Sequence, residues 1–164
     1  MSAGPCTAAD TSELCHIVRR LKDETNPFGD LSDPELEQLA AHLERRHLDK
    51  GTVFFKEGEQ GDYLGIIMSG RLEVKKKTEF ADNQILLAVL SKGSVIGELA
   101  MVDNQPRAAT VRALDDAELF ILRRGQFDAF VEENTAAGLK IFRSISRLLS
   151  VRLRMAVERF SEVF

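Results

Sequence analysis

Between Gly51 and Arg123 the chain is cut into short apolar runs by Gly, Asp, Asn and Ser, and this cadence excludes most folds. The runs are Val53–Phe55, Leu64–Met68, Leu72–Val74, Ile85–Leu90, Ser94–Ile96, Thr110–Ala113 and Leu119–Leu122. Each is too short for an ordinary helix, and β-branched and aromatic residues recur in them. Ser69-Gly70 between two apolar runs is a hairpin signal, and Gly58 and Gly61 flank a charged loop. Short strands at this spacing pack as an all-β barrel or jelly roll.

Helical periodicity lies on both sides of this block. Leu14, Ile17, Val18 and Leu21 predict a helix over Thr11–Asp23 with Thr11 or Ser12 as its cap, after about ten loose residues. Ser32 and Glu35 form a capping-box pattern, and Leu36, Leu39, Ala40 and Leu43 share one face beyond it. Helical signals return at Arg124, where Phe127, Phe130 and Val131 would seat a short helix on the barrel. A longer helix over Ala137–Phe160 carries Leu139, Phe142, Ile145, Leu149, Leu153, Ala156 and Phe160 at three- and four-residue steps.

Chemistry concentrates in residues 96–109. Glu98 and Arg107 stand nine positions apart, the acid next to Gly97 and the base next to Pro106. Gly97 permits unusual backbone angles and close approach of a ligand. Glu98 to Val102 can form a short helix whose first amides point outward and suit phosphate. Arg107 adds a planar cation matched to phosphate oxygens. Ala108 and Ala109 are small enough to bring their amides near an anion. An ionised Glu98 accepts hydrogen bonds, and a ribose 2′-OH is a natural donor. The ligand these residues suit carries a phosphate beside a sugar hydroxyl.

Ile96-Gly97-Glu98-Leu99-Ala100 followed by Arg107-Ala108-Ala109 resembles the phosphate-binding cassette of cyclic nucleotide-binding domains, the family of the catabolite activator protein and the protein kinase A regulatory subunits. Ile96 stands where Phe is usual. The block Gly51–Val74 resembles the early barrel strands of the same family, and the likeness extends over roughly residues 24–160. It implies a mainly β fold with flanking helices: an eight-stranded jelly-roll-like barrel with N-terminal helices and a long C-terminal helix. It divides the chain into an N-terminal segment and helix (1–23) and a cyclic nucleotide-binding domain with its lid or dimer helix (24–164). It implies that Glu98 holds the ribose, that Arg107 pairs with the cyclic phosphate, and that Gly97, Leu99, Ala100, Ala108 and Ala109 complete the cradle. By alignment Arg152, Leu153 and Ala156 fall near a lid over the base. Family members preferring cGMP often carry Thr at the position of Ala108, so the expected ligand is cAMP before cGMP. The expected partners are a protein effector and a second copy joined through the C-terminal helix.

Other chemistries find little support. The net charge of −4 gives no overall pull toward nucleic acid or anionic lipid. Residues 138–164 hold six basic against two acidic side chains, but no helix-turn-helix module fits after them, so direct DNA binding is not expected. No apolar run has the length of a membrane span, and residues 1–10 lack secretory-signal character, which points to the cytoplasm. Cys6 and Cys15 are too few for a disulfide framework. His16, His42 and His47 all precede Gly51, in or near expected helices, which argues against a jelly-roll metal site and leaves neither metal ligands nor catalytic residues to name. The competing function is a ligand-free barrel serving as a protein–protein scaffold; a jelly-roll enzyme is a weaker rival.

Overall fold

The computed structural model describes residues 3–5, 7–20, 27–78 and 84–161. In chain order these form β1 (Ala3–Pro5), α1 (Ala8–Arg20), α2 (Asp33–Ala40), β2 (Leu43–Leu48), β3 (Val53–Phe55), β4 (Tyr63–Ser69), β5 (Leu72–Lys77), β6 (Gln84–Leu90) and β7 (Val95–Ile96). Then follow α3 (Glu98–Asp103), β8 (Thr110–Ala113), β9 (Ala117–Arg123), α4 (Arg124–Glu133) and α5 (Thr135–Ser161). One sheet has the order β1-β2-β9-β4-β7 and the other β3-β8-β5-β6, with every pairing antiparallel. Strands β2–β9 are thus the eight strands of a jelly-roll-like barrel, and β1 extends one edge. Gly70 turns β4 into β5 at φ 80°, where a Cβ would meet the Asp116 carbonyl at 2.5 Å.

Two apolar cores divide the molecule. The barrel interior holds Leu48, Phe54, Phe55, Ile67, Leu72, Ile96, Val111, Leu119 and Ile121. The other core joins Leu14, Phe28, Leu36 and Leu39 to Phe127, Phe130, Ala137, Ile141 and Ile145, over a floor of Leu64, Ile66, Met68, Phe120 and Leu122. Strands β4 and β9 serve both cores with alternate residues. That is why they read as near-continuous apolar runs rather than alternating ones. Polar contacts reinforce the helical core: Lys140 donates to both Glu35 oxygens at 2.8 Å, and the Ser144 hydroxyl donates to Asp30 at 3.2 Å.

Five expectations need correction. The first residues are not all loose, since β1 pairs with β2. Helix α1 starts at Ala8, not Thr11, because Thr7 and Asp10 form a reciprocal cap: the Thr7 amide donates to Asp10 at 2.8 Å, and the Asp10 amide to the Thr7 hydroxyl at 3.3 Å. Leu43 does not extend α2. That helix ends at Ala40, and Leu43 opens β2, where Leu43 and Leu48 are buried and Arg45 and His47 exposed. His47 accordingly lies on a barrel strand rather than near a helix end, with Glu118 at 2.7 Å and Asp49 at 3.3 Å. Finally, α5 starts at Thr135 and seats Ala137, Ile141, Ser144, Ile145 and Leu148, while Leu139, Phe142 and Leu153 are exposed. The expected continuation of the first helix to Asp23, and the domain boundary there, lie outside the described residues, as do Cys6 and most of the loop between Thr78 and Gln84. No described helix is long and apolar enough to cross a membrane.

The α2 cap matches its sequence signal, with the Ser32 amide donating to Glu35 at 2.7 Å. The β2–β9 pairing carries a titratable clasp. Glu118, ahead of Asp49, holds His47 above the usual imidazole value. A raised folded value means the clasp is fully present below the unfolded value of about 6.5 and fades as pH rises through the raised one. Thermal melts should therefore show His47→Gln falling short of the parent more at pH 6 than at pH 8.5; an equal shortfall at both would remove the clasp.

Candidate functional site

Strand β7 ends against β4, and Gly97, at φ 84°, turns the chain directly into α3. Only a residue without a side chain fits that turn easily, because a Cβ would meet the Arg107 Nη1 at 2.6 Å. Glu98 is thereby the first residue of a six-residue helix and points inward, 2 % exposed. The amides of Leu99 and Ala100 lie in its first turn, where no preceding intrahelical carbonyl is available to them. Asn104, at φ 56°, ends the helix. The chain then returns through Pro106 to Arg107.

Arg107 is the centre of the site. Its main chain is zipped to the charged loop after β3: its amide donates to the Glu59 carbonyl at 2.8 Å, and its carbonyl accepts from Gly58 at 2.9 Å. Arg107 is 3 % exposed, and its guanidinium lies over Phe55 at 4.1 Å and Tyr63 at 4.5 Å. Nη1 donates to the Gly97 carbonyl at 3.1 Å and Nη2 to the Tyr63 carbonyl at 2.7 Å. Nε is buried without an acceptor, and no carboxylate among the described residues forms an ion pair with the group. Burial pulls the guanidinium down from its ordinary value, with Tyr63, Asp62 and Glu59 opposing. A cation stripped of water and out of contact with any carboxylate is costly, and a bound anion would relieve it.

Glu98 has the complementary problem. Burial pushes its carboxyl up, while Arg152, its own amide and Arg107 act against that shift. Arg152, on α5, donates from Nη1 to Glu98 Oε1 and from Nη2 to the Val95 carbonyl at 3.1 Å. The long helix thus touches the acid directly.

Gly97, Glu98, Leu99, Ala100, Arg107, Ala108 and Ala109 all line one cavity of about 100 Å³, together with Phe55, Val111 and Arg152. An adjoining groove of about 480 Å³ runs between β6 and α5, past Leu87, Leu90, Val95, Met155 and Ala156. Arg152 borders both spaces and Ala156 the groove alone; Leu153 lines neither and is 66 % exposed. Sequence reasoning missed the aromatic walls, Phe55 and Tyr63. Both sit in the Gly51–Val74 block, but no local pattern marks them as platforms for a cation 44 or more residues away. Among the described residues no group of three or more His, Cys, Asp or Glu could hold a metal ion.

Comparison with known proteins gives a consistent picture. The family described as "Cyclic nucleotide-binding domain" matches residues 45–134. The cAMP-dependent protein kinase regulatory subunit of Debaryomyces hansenii is 38 % identical over 107 residues, which is 65 % of this chain and 22 % of that one. The chain spans about a fifth of the length of such curated relatives. Among solved structures, a cyclic nucleotide-binding domain from Methylobacillus flagellatus superposes with a TM-score of 0.81 at 26 % identity, covering 94 % of this chain and 84 % of that one. The regulatory domain of Toxoplasma gondii PKA, co-crystallised with cAMP, gives 0.68 at 27 % identity, covering 78 % and 47 %.

The two glycines flanked by most contrast give a direct test of the packing around Arg107. Gly97→Ala combines a left-handed backbone with a 2.6 Å clash and should cost about 1–3 kcal/mol in urea unfolding. Gly125→Ala, in α4 with nothing within 4 Å, should be neutral or stabilising by roughly 1 kcal/mol at most. Equal effects would show that the turn into α3 is not constrained by the guanidinium.

Proposed function

Because the chain belongs to the cyclic nucleotide-binding domain family, we propose that it is a regulatory module that binds cAMP in preference to cGMP and relays binding through its flanking helices to a protein effector. The observation that carries this is Arg107: a buried guanidinium on an aromatic platform, with one N–H unsatisfied and no acidic partner among the described residues. A cyclic phosphate supplies the missing charge, and the small residues Ala108 and Ala109 let their amides approach it. Glu98 accepts the ribose 2′-OH. The base extends toward the groove between β6 and α5, where Arg152 and Ala156 lie. Alanine at 108 offers guanine no hydroxyl, which favours adenine. The site binds and does not transform its ligand.

The contact between Arg152 and Glu98 supports the relay. The group that would hold the ribose also holds α5, so filling the cavity changes what the helix can touch. Only a difference in affinity between two helix positions can shift their populations. The rival reading, a ligand-free scaffold, draws on the same contact, since Arg152 satisfies the carboxylate without a nucleotide. It leaves Arg107 unanswered, and we favour the sensor for that reason.

The outward strip of α5 supports self-association. Leu139, Phe142, Leu153 and Val157 are 60, 41, 66 and 60 % exposed and fall on one side of the helix as two pairs, with the exposed Ser146 and Ser150 between them. A second copy of α5 is the partner this strip fits in a two-fold dimer.

Calorimetric titration with cAMP and cGMP side by side tests the ligand. At a hundredfold excess over its dissociation constant, cAMP should stabilise the fold by about 2.7 kcal/mol, and no melting shift at millimolar nucleotide would defeat the reading. Arg107→Ala should weaken cAMP binding by about 2–5 kcal/mol. Sedimentation equilibrium should give a dimer that Leu153→Asp reduces to a monomer; a monomeric parent at high concentration would remove the seam.

A further inference from the structure

Arg124 is the first residue of α4 and stands outside the cassette in sequence, yet it contacts both the cassette helix α3 and the loop that backs Arg107. Its amide donates to the Asp62 carbonyl at 2.7 Å. Its Nη1 donates to the Met101 carbonyl at 3.1 Å, and its Nη2 to the Ala100 carbonyl, with the Gly61 carbonyl at 3.5 Å. Ala100 and Met101 lie in the last turns of α3, where the helix end carries partial negative charge; the Ala100 carbonyl also accepts from the Asn104 amide at 3.2 Å, so Arg124 adds a charged second donor there. A six-residue helix is too short to stand on its own hydrogen bonds, so an external donor at its tail decides whether its head is held. Gly61 lies hard against Arg107, since a Cβ there would meet Cζ and Nε at 2.9 Å.

One guanidinium therefore ties together the loop that backs Arg107 and the helix that starts with Glu98. It does so from α4, whose Phe127 and Phe130 share a core with Ala137, Ile141 and Ile145 of α5. We propose that Arg124 is the positioning residue of the nucleotide site: it sets the distance between the phosphate and ribose anchors and couples both to the α4–α5 unit. This rests on the cyclic-nucleotide reading above. Arg124 does not touch the ligand. Its neighbour Arg123 points elsewhere, pairing with Glu44 at 3.0 Å, and serves as the control.

The test combines cAMP titration with hydrogen exchange of the α3 amides in the unliganded protein. Arg124→Ala should lower affinity roughly 10- to 100-fold, the scale of losing hydrogen bonds to a charged group. It should also speed exchange in α3 while leaving β4 and β9 protected. Millimolar methylguanidinium should recover part of both effects, which a diffuse loss of packing would not allow. Arg123→Ala should keep affinity within about twofold on the scale of exposed ion pairs. If Arg124→Ala does not fold, Arg124→Gln takes its place with the same expectations. Parental affinity and unchanged α3 exchange in the folded variant would overturn the proposal. Absence of cAMP binding by the parent would instead overturn the functional reading, leaving the role of Arg124 in holding α3 to be judged by α3 exchange alone.

Discussion

A buried guanidinium that no carboxylate among the described residues contacts is the constraint around which the candidate site is organised. The Arg107 guanidinium is enclosed by Phe55, Tyr63, Gly61 and Gly97, and two backbone carbonyls take up part of its donor capacity. Neutral carbonyls and ring faces orient the group without neutralising it. A chain selected only for stability would gain by replacing such a group with an apolar one. Retaining it makes sense where a ligand brings the counter-charge. Even the glycines follow from this: the Cβ directions at 61 and 97 run into the guanidinium, so the close enclosure of the cation dictates backbone chemistry on two separate segments.

The division into two cores gives that cation its consequences. The barrel core fixes Phe55 and Ile96 beside the cavity, whereas α1, α2, α4 and α5 share the other core with the outer side of the β4–β9 pair. Two arginines cross between these bodies at the cassette. Arg152 reaches Glu98 from α5, and Arg124 reaches the tail of α3 from α4. Both end on polar groups of one six-residue helix, so α3 is the element that contacts both the cavity and the helical layer. Lys140 and Ser144 then fasten α5 to Glu35 and Asp30, which extends the same body to the N-terminal side.

How much of this was legible in the sequence depended on range. The cassette was readable because its residues lie within fourteen positions, and glycine, proline and small side chains announce close backbone approach locally. Strands β3 and β8 were found at their true limits because turn residues bound them. Strand β2 was not, since Glu44, Arg45, Arg46 and His47 carry no apolar alternation; its pairing with β9 is stabilised by charges across the ladder. The face of α5 was misjudged for the opposite reason. That helix is apolar over a wide arc with two strips, and periodicity finds an apolar strip without saying what covers it. Phe55 and Tyr63 escaped because a cation–π platform exists only once β3, β4 and the segment at Arg107 meet in space.

Glu98 links these threads. Burial disfavours its ionised form, and an un-ionised carboxyl would be a poorer acceptor for a sugar hydroxyl. Arg152 opposes that shift from a side chain that is itself 39 % exposed, so the favourable charge contact is available only while α5 stays near the barrel. In the proposed sensor, helix position and the acceptor strength of Glu98 would therefore be linked: a ligand that needs the ionised acid would favour the arrangement in which Arg152 reaches it. Arg152 would thus tune Glu98 as the ribose acceptor without touching the ligand.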